Sequence, residues 1–362
     1  MTSKPIAVRT SVAVLALVVL VSGCTDVDAE LVRVGENMLL YHRDLGGWPK
    51  NIDMARPLSD AEKDQLRAEK GRNDATLDNG ATHSQLRHLA KAYTATKQER
   101  FKAAFLKGLD YILTAQQPNG GWPQSKGGTH YAALITFNDG AMIGAMTVLR
   151  DVAEAKPDYA FVDEARRQQA AEAVQRGIDC ILACQIVIDG QPTVWCQQHD
   201  PKTFEPCGAR GFEPPALCSA ESVGIVEFLM QIDEPGPEII DAIQGAVSWY
   251  EQVKILGKQR VWTTAADGEP DDVIIDNPDA PPQWARFYYC GVLGGWTLAV
   301  DGPAINQPIF ADGAGLVYDN MAAISRERRT GYSWLGPYAN DLLDRSYPAW
   351  QAKWAPPEET AP

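Results

Sequence analysis

The stretch Gly46-Gly47-Trp48-Pro49-Lys50-Asn51 returns as Gly120-Gly121-Trp122-Pro123-Gln124-Ser125, each time just after a segment with helical periodicity. A second echo follows each copy. Asp78-Asn79-Gly80-Ala81 trails the first and Asn138-Asp139-Gly140-Ala141-Met142 the second, both immediately before a new helical segment. The repeated unit therefore reads as a helical hairpin with a tryptophan loop and an acidic turn that opens the next helix. From Glu30 to about Glu251 apolar residues recur at three- and four-residue spacing, as in Phe101, Phe105, Leu109, Ile112 and Leu113. Helices are predicted over about 30–42, 58–70, 81–97, 99–117, 138–155, 160–185, 219–232 and 236–253, joined by loops rich in Gly, Pro, Asn and Asp. Stacked hairpins bury their faces best by closing on one another, so the expected fold class is all-α. The architecture expected is an (α/α) barrel or toroid whose tryptophan loops and acidic turns gather at one end. Beyond Gln252 the texture changes to Val, Thr, Asp and Pro. A loop-rich, partly β C-terminal third is expected there, with short strands near Val261-Trp262 and Val273-Ile275 and a helix at about 336–346.

The N-terminus follows a different logic. Lys4 and Arg9 precede an apolar run, Ser11 to Val21, that is too short for a comfortable membrane span. The run ends in Val21-Ser22-Gly23-Cys24, which resembles a bacterial lipobox. Residues 1–23 thus read as a lipoprotein signal peptide and 24–362 as one domain, lipid-anchored at Cys24. The expected location is the outer membrane, periplasm or cell surface, with membrane contact only through the anchor. At 45% apolar and 22% charged residues the chain can bury a full core. Its net charge is −14, and loss of Lys4 and Arg9 makes it −16, which argues against a nucleic-acid partner. For the same reason a polyanionic substrate needs a local cationic cluster or a bridging metal. The six cysteines after Cys24 and the five histidines show no zinc spacing; the cysteines read as disulfides or buried thiols.

Asp78 and Asp139 read as equivalent residues of the two echoes. Each would ordinarily cap a helix start. Brought into one cleft, they suit a hard divalent cation, with Asn79 and Asn138 as further oxygen donors. They suit acid/base glycoside hydrolysis equally well, and spacing does not separate the two. Arg210 and Arg286 discriminate better, because both sit in aromatic or Pro-rich loop sequence, where a guanidinium fork can take a sugar carboxylate. Trp48 and Trp122 are candidates for stacking on a sugar ring, or for filling the base of their own loops.

Taken in order, Asp78-Asn79-Gly80-Ala81-Thr82, Phe137-Asn138-Asp139-Gly140-Ala141-Met142, the Glu213 to Ser222 segment, Gln283 to Tyr288 and the Glu327 to Trp334 segment resemble polysaccharide lyase family ten. The likeness covers nearly all of 24–362. It implies a pectate lyase that cleaves polygalacturonate by calcium-assisted anti β-elimination and leaves unsaturated oligogalacturonides. Under that likeness Asp78 and Asp139 match the calcium-site aspartates and Asn79 the family's loop asparagine. Arg210 matches an arginine that acts as the base, and Arg286 a carboxylate binder. A hydrolase of neutral glycans would leave both arginines without a purpose.

One departure stands out. The family's third cleft arginine lies in a segment resembling Pro-Ile-Phe-Gly-Arg-Asp-Gly, whereas this chain reads Pro308-Ile309-Phe310-Ala311-Asp312-Gly313. The expected arginine falls on Asp312 or Gly313, after extra sequence between Tyr289 and Asn306. Either Arg328 or Arg329 replaces it, or the chain acts weakly or on a related uronate, or it only binds pectate oligosaccharides as a lipoprotein.

Overall fold

A computed structural model of the chain describes the backbone of residues 15–299 and 303–355, with side chains from residue 28 onward. The expectations for the leader and for Cys24 fall outside the described side chains. Ten α-helices run in chain order: α1 (Leu15–Tyr41), α2 (Asp60–Ala68), α3 (His83–Thr96), α4 (Glu99–Ala115), α5 (Ala141–Ala153), α6 (Glu164–Cys184), α7 (Ser219–Met230), α8 (Pro237–Val253), α9 (Arg326–Thr330) and α10 (Tyr347–Trp354). Helices α2 to α8 lie within about one turn of their predicted positions, and α1 ends where expected but begins at Leu15 rather than near residue 30. Local chemistry explains several boundaries. Ser59 and Glu62 form a capping box at α2, Asp163 accepts from the Arg166 amide at α6, and Pro237 opens α8 where no amide donor is required. The helix expected at 336–346 comes later, as a π-helical turn at Leu342–Ser346 leading into α10. Among the described residues no helix is long and apolar enough to cross a membrane.

The all-α expectation is overturned. Fourteen short strands form five small sheets among the described residues. The widest orders Thr297–Leu298, Leu316–Tyr318, Pro308–Ala311, Phe287–Tyr288 and Leu217–Cys218, antiparallel except for its first pair. It carries its own core of Phe287, Ile309, Phe310, Val317 and Trp334 beside the main helical one. The hairpin of Lys258–Thr264 with Pro270–Asp276 contains both strands foreseen. Most other strands are two residues long, and two residues cannot display an alternating pattern. They were invisible for that reason.

The tryptophan loops build the scaffold. Trp48 and Trp122 are fully buried, and their indole N–H groups donate to Met38 O and Ile112 O of the preceding helices. Gly46 and Gly120 both have positive φ, and a Cβ there would strike the Lys107 and Arg176 carbonyls at 2.5 and 2.1 Å. Trp195 and Trp284 repeat the device, donating to Ile181 O and Tyr250 O. Four loops, two of them legible as echoes, therefore plug the ends of helical pairs.

Candidate active site

The loops of Trp122, Trp195 and Trp284 each accept a hydrogen bond from the turn of the preceding unit. Leu77 N–H donates to Gln124 O, Phe137 N–H to Gln197 O, Ser219 N–H to Arg286 O and Arg286 N–H to Trp334 O. This succession delivers Asp78, Asp139, Glu221 and Arg286 to one place.

The two acidic turns are not in the register read from sequence. Asn79 and Asp139 both adopt left-handed backbone, with φ of 50° in each, so Asp139 corresponds to Asn79 and Asp78 to Asn138. Asp and Asn have exchanged places between the echoes. Neither aspartate caps the helix that follows. The Asp78 carboxylate is only 1% exposed: Oδ2 accepts from Lys50 Nζ and Gln124 Nε2, while Oδ1 has no partner. Asn138, its counterpart, also has a buried Oδ1 without a partner and donates from Nδ2 to Asp139 Oδ2 at 2.6 Å. Burial raises the Asp139 pKa above the usual carboxylate range, and the neighbouring Asp78 charge raises it further, partly offset by Arg286. The unpartnered buried oxygens of Asp78 and Asn138 beside the exposed Asp139 carboxylate fit a hard cation, and the Lys50 ammonium already stands against Asp78. Asn79 is exposed at the rim, donating to Asn51 Oδ1 at 2.9 Å.

Arg286 lies deeper, in an ion pair with Glu221 whose two side chains are 12% and 11% exposed. Burial pushes the Glu221 carboxyl up to about 7, against the pull of Arg286. Burial also opposes the Arg286 charge, but Glu221 more than compensates, and the guanidinium stays a firm cation. Arg210 is held by Glu213, with Nε donating to Oε2 at 2.7 Å and a second guanidinium nitrogen to Oε1. Tyr332 O–H reaches the same Oε1 at 2.9 Å. The Glu213 bonds raise the Arg210 pKa further, with the more distant Asp139 charge adding to them.

Sequence reasoning missed Glu213, Glu221, Lys50 and Tyr332. Glu221 had a signal, since it lies in the first turn of α7 after the Trp195 loop, as a third acidic turn. Trp48 and Trp122 must be withdrawn as sugar-stacking residues: with no exposed surface, they serve the loops' own bases.

Comparison with known proteins decides the lineage. The pectic acid lyase family profile matches residues 42–343. This chain belongs to the pectic acid lyase family. It is a lyase, and the motif resemblance noted above agrees with that membership. A family 10 polysaccharide lyase from Cellvibrio cellulosa superposes with a TM-score of 0.72 at 27% identity, covering 89% of this chain and 92% of that one. An aspartate-to-alanine mutant of a family 10 polysaccharide lyase from Cellvibrio cellulosa, in complex with trigalacturonic acid, superposes at 0.74 with 28% identity over the same shares. No curated protein matches.

Proposed function

We propose that this pectic acid lyase cleaves polygalacturonate by anti β-elimination, releasing unsaturated oligogalacturonides, with a calcium ion held jointly by Asp78, Asp139 and a substrate carboxylate. The observation that carries this reading is the buried, unpartnered Oδ1 of Asp78 beside Asp139, with Arg210 and Arg286 next to the pair. No group of three His, Cys, Asp or Glu side chains suited to a metal occurs among the described residues, and the proposed cation would take further oxygens from the Asn138 amide and the substrate carboxylate. The oligouronide held by the Cellvibrio relative supports a substrate of that class.

When bound, calcium would withdraw charge from the uronate carboxylate and acidify the hydrogen on the adjacent ring carbon. Arg286, kept protonated by Glu221, is fitted to bind that carboxylate and stabilise the charge that develops on it. Arg210 is the residue we place as base. A guanidinium clasped by a carboxylate holds its proton more tightly, so abstraction requires the Glu213 pair to open and Arg210 to lose one proton to alkaline solvent before its neutral form takes the ring-carbon hydrogen. We also propose export and acylation at Cys24; Cys24→Ser should release the chain from membranes and abolish incorporation of labelled fatty acid.

The deciding experiment follows ultraviolet absorbance of unsaturated uronate from polygalacturonate at alkaline pH, with calcium and then with excess chelator. Chelator-sensitive signal is expected. Saturated products, or full activity in chelator, would sink the reading. Calcium-dependent binding without product would favour the pectate-binding alternative raised by the altered 308–315 segment.

A further inference from the structure

We propose that Tyr332 and Gln197 are positioning residues that allow Arg210 to leave Glu213 and turn to the substrate; the proposal rests on the reading of Arg210 given above. The tryptophan loops share a register that points to Gln197. Two residues after Trp48, Trp122, Trp195 and Trp284 stand Lys50, Gln124, Gln197 and Arg286, a hydrogen-bond donor each time. Three of these donors are committed to carboxylates of the cleft, Lys50 and Gln124 to Asp78 and Arg286 to Glu221. Gln197 differs. Its backbone carbonyl accepts from the Phe137 and Asn138 amides beneath the Asp139 turn, and its buried side chain donates from Nε2 to Tyr332 Oη at 3.0 Å. Tyr332 has a single hydroxyl proton, and the Glu213 carboxylate is the stronger acceptor for it, so the Gln197 amide must present its donor.

The hydrogen bonds on Glu213 show what that chain of donors achieves. Oε2 accepts from the Arg210 amide at 3.1 Å and from Arg210 Nε at 2.7 Å. Oε1 accepts from a second guanidinium nitrogen and from the Tyr332 hydroxyl at 2.9 Å. Withdrawal of the guanidinium therefore leaves one donor on each oxygen, the Arg210 amide on Oε2 and the Tyr332 hydroxyl on Oε1. A carboxylate this deeply buried is costly to strip of its cation, and the two remaining donors lower that cost. The first belongs to the backbone turn closed by Glu213 N–H on Arg210 O and is fixed. The second depends on Tyr332, whose O–H is polarised towards Glu213 by the Gln197 amide behind it. The ring cannot swing away, because Phe212, Phe287 and Trp334 surround it with centroids 5.1, 6.1 and 5.1 Å distant. The Arg210 side chain, in contrast, is 45% exposed and able to turn. A fixed phenol and a mobile guanidinium share Oε1, and the phenol is the one that stays.

Tyr332→Phe keeps the ring packing and removes only the hydroxyl, and thermal unfolding checks that the fold survives. Opening of the Arg210–Glu213 pair is read by NMR from solvent exchange of the Arg210 Nε–H, whose signal is identified by its loss in Arg210→Lys. Formation of unsaturated uronate from polygalacturonate is followed in parallel at one alkaline pH with calcium. Y332F is expected to slow the exchange and to lower kcat by a common factor of roughly 10–100, the worth of a donor withdrawn from a buried charge. Q197A, which removes the polarising amide and leaves the hydroxyl, should fall between wild type and Y332F, and it carries the same test should Y332F unfold. The double variant should match Y332F, because the amide acts through the hydroxyl. Exchange in Y332F within about twofold of wild type overturns the proposal, and so does an exchange that slows while kcat of an active chain is unchanged. A Q197A effect that adds in full to that of Y332F overturns the part given to Gln197. A wild-type chain that forms no unsaturated product defeats the lyase reading alone, and the exchange rates then still judge Tyr332 and Gln197.

Discussion

In the proposed mechanism Glu213 governs the most demanding role, that of Arg210 as base. It is buried and bonds the Arg210 guanidinium, the Arg210 amide and the Tyr332 hydroxyl at once. By favouring the protonated guanidinium it works against the neutral form that a base requires. Glu213→Gln should therefore shift the alkaline-rising limb of the pH–rate profile to lower pH, even where the maximum rate falls because Arg210 is less well oriented. An unmoved limb would show that Arg210 acts only as a cation. Asp78, Asp139, Arg210 and Arg286 were all legible in sequence, because acidic turns before helices and arginines in aromatic loops are unusual placements. The swap of Asp and Asn between the two turns was legible as well, once Gly80-Ala81 is aligned with Gly140-Ala141, and the shared left-handed φ of Asn79 and Asp139 bears out that alignment. Glu221 was hidden because its arginine partner, Arg286, lies 65 residues away across the fold, whereas Glu213 stands three residues from Arg210 and only its burial marks it as the partner.

Among elements, the tryptophan loops and the rebuilt segment after Tyr289 perform opposite tasks. Trp122 fills the base of its loop, and Gly177 of α6 leaves it room, a Cβ there falling 3.0 Å from the indole. Trp122→Ala should cost about 3–5 kcal/mol of stability, the range for a large buried side chain lost from a core, measured by denaturant unfolding. Trp296, in contrast, lies partly exposed on the extra sequence, covering Gly208 and donating from Nε1 to Gly211 O at 3.0 Å. It clamps the very loop that bears Arg210. Trp296→Ala should leave the unfolding midpoint within about 0.5 kcal/mol of wild type, as for most surface changes, while kcat/KM falls; equal kcat/KM would show that the clamp is dispensable. Periodicity revealed the helices of this scaffold because each spans several turns. It could not reveal strands of two residues, nor that an insertion folds back over the Arg210 loop.

At the scale of the molecule, pH acts through buried histidines as well as through the cleft. His42, His83 and His199 are buried and pushed down to about 4, chiefly by desolvation, with the charge of Arg87 adding at His83. His199 shows why the neutral ring is built in: Nδ1 donates to Phe204 O at 2.8 Å while Nε2 accepts the Cys196 amide at 3.0 Å, which leaves no site for a second proton. An unfolded histidine takes up its proton near pH 6.5, whereas these folded ones refuse it until about 4. Their contribution is therefore complete above 6.5 and is lost as pH falls towards 4. Glu221 acts in the other sense: its raised carboxyl keeps a proton that the unfolded chain gives up, so its share declines as pH rises from about 4.5 to 7. The protons taken up by the three histidines and by the less strongly shifted His88 outweigh the one released by Glu221 and the smaller shares of Asp139, Glu227 and Asp272, a fully expressed proton being worth about 1.4 kcal/mol per pH unit. Thermal unfolding in chelator should accordingly show a midpoint that falls steadily from pH 6.5 to 4.5. A flat or rising midpoint across that interval would mean that the folded histidines accept protons, and that their burial is relieved by motions opening the tryptophan-loop and Cys196 regions to water.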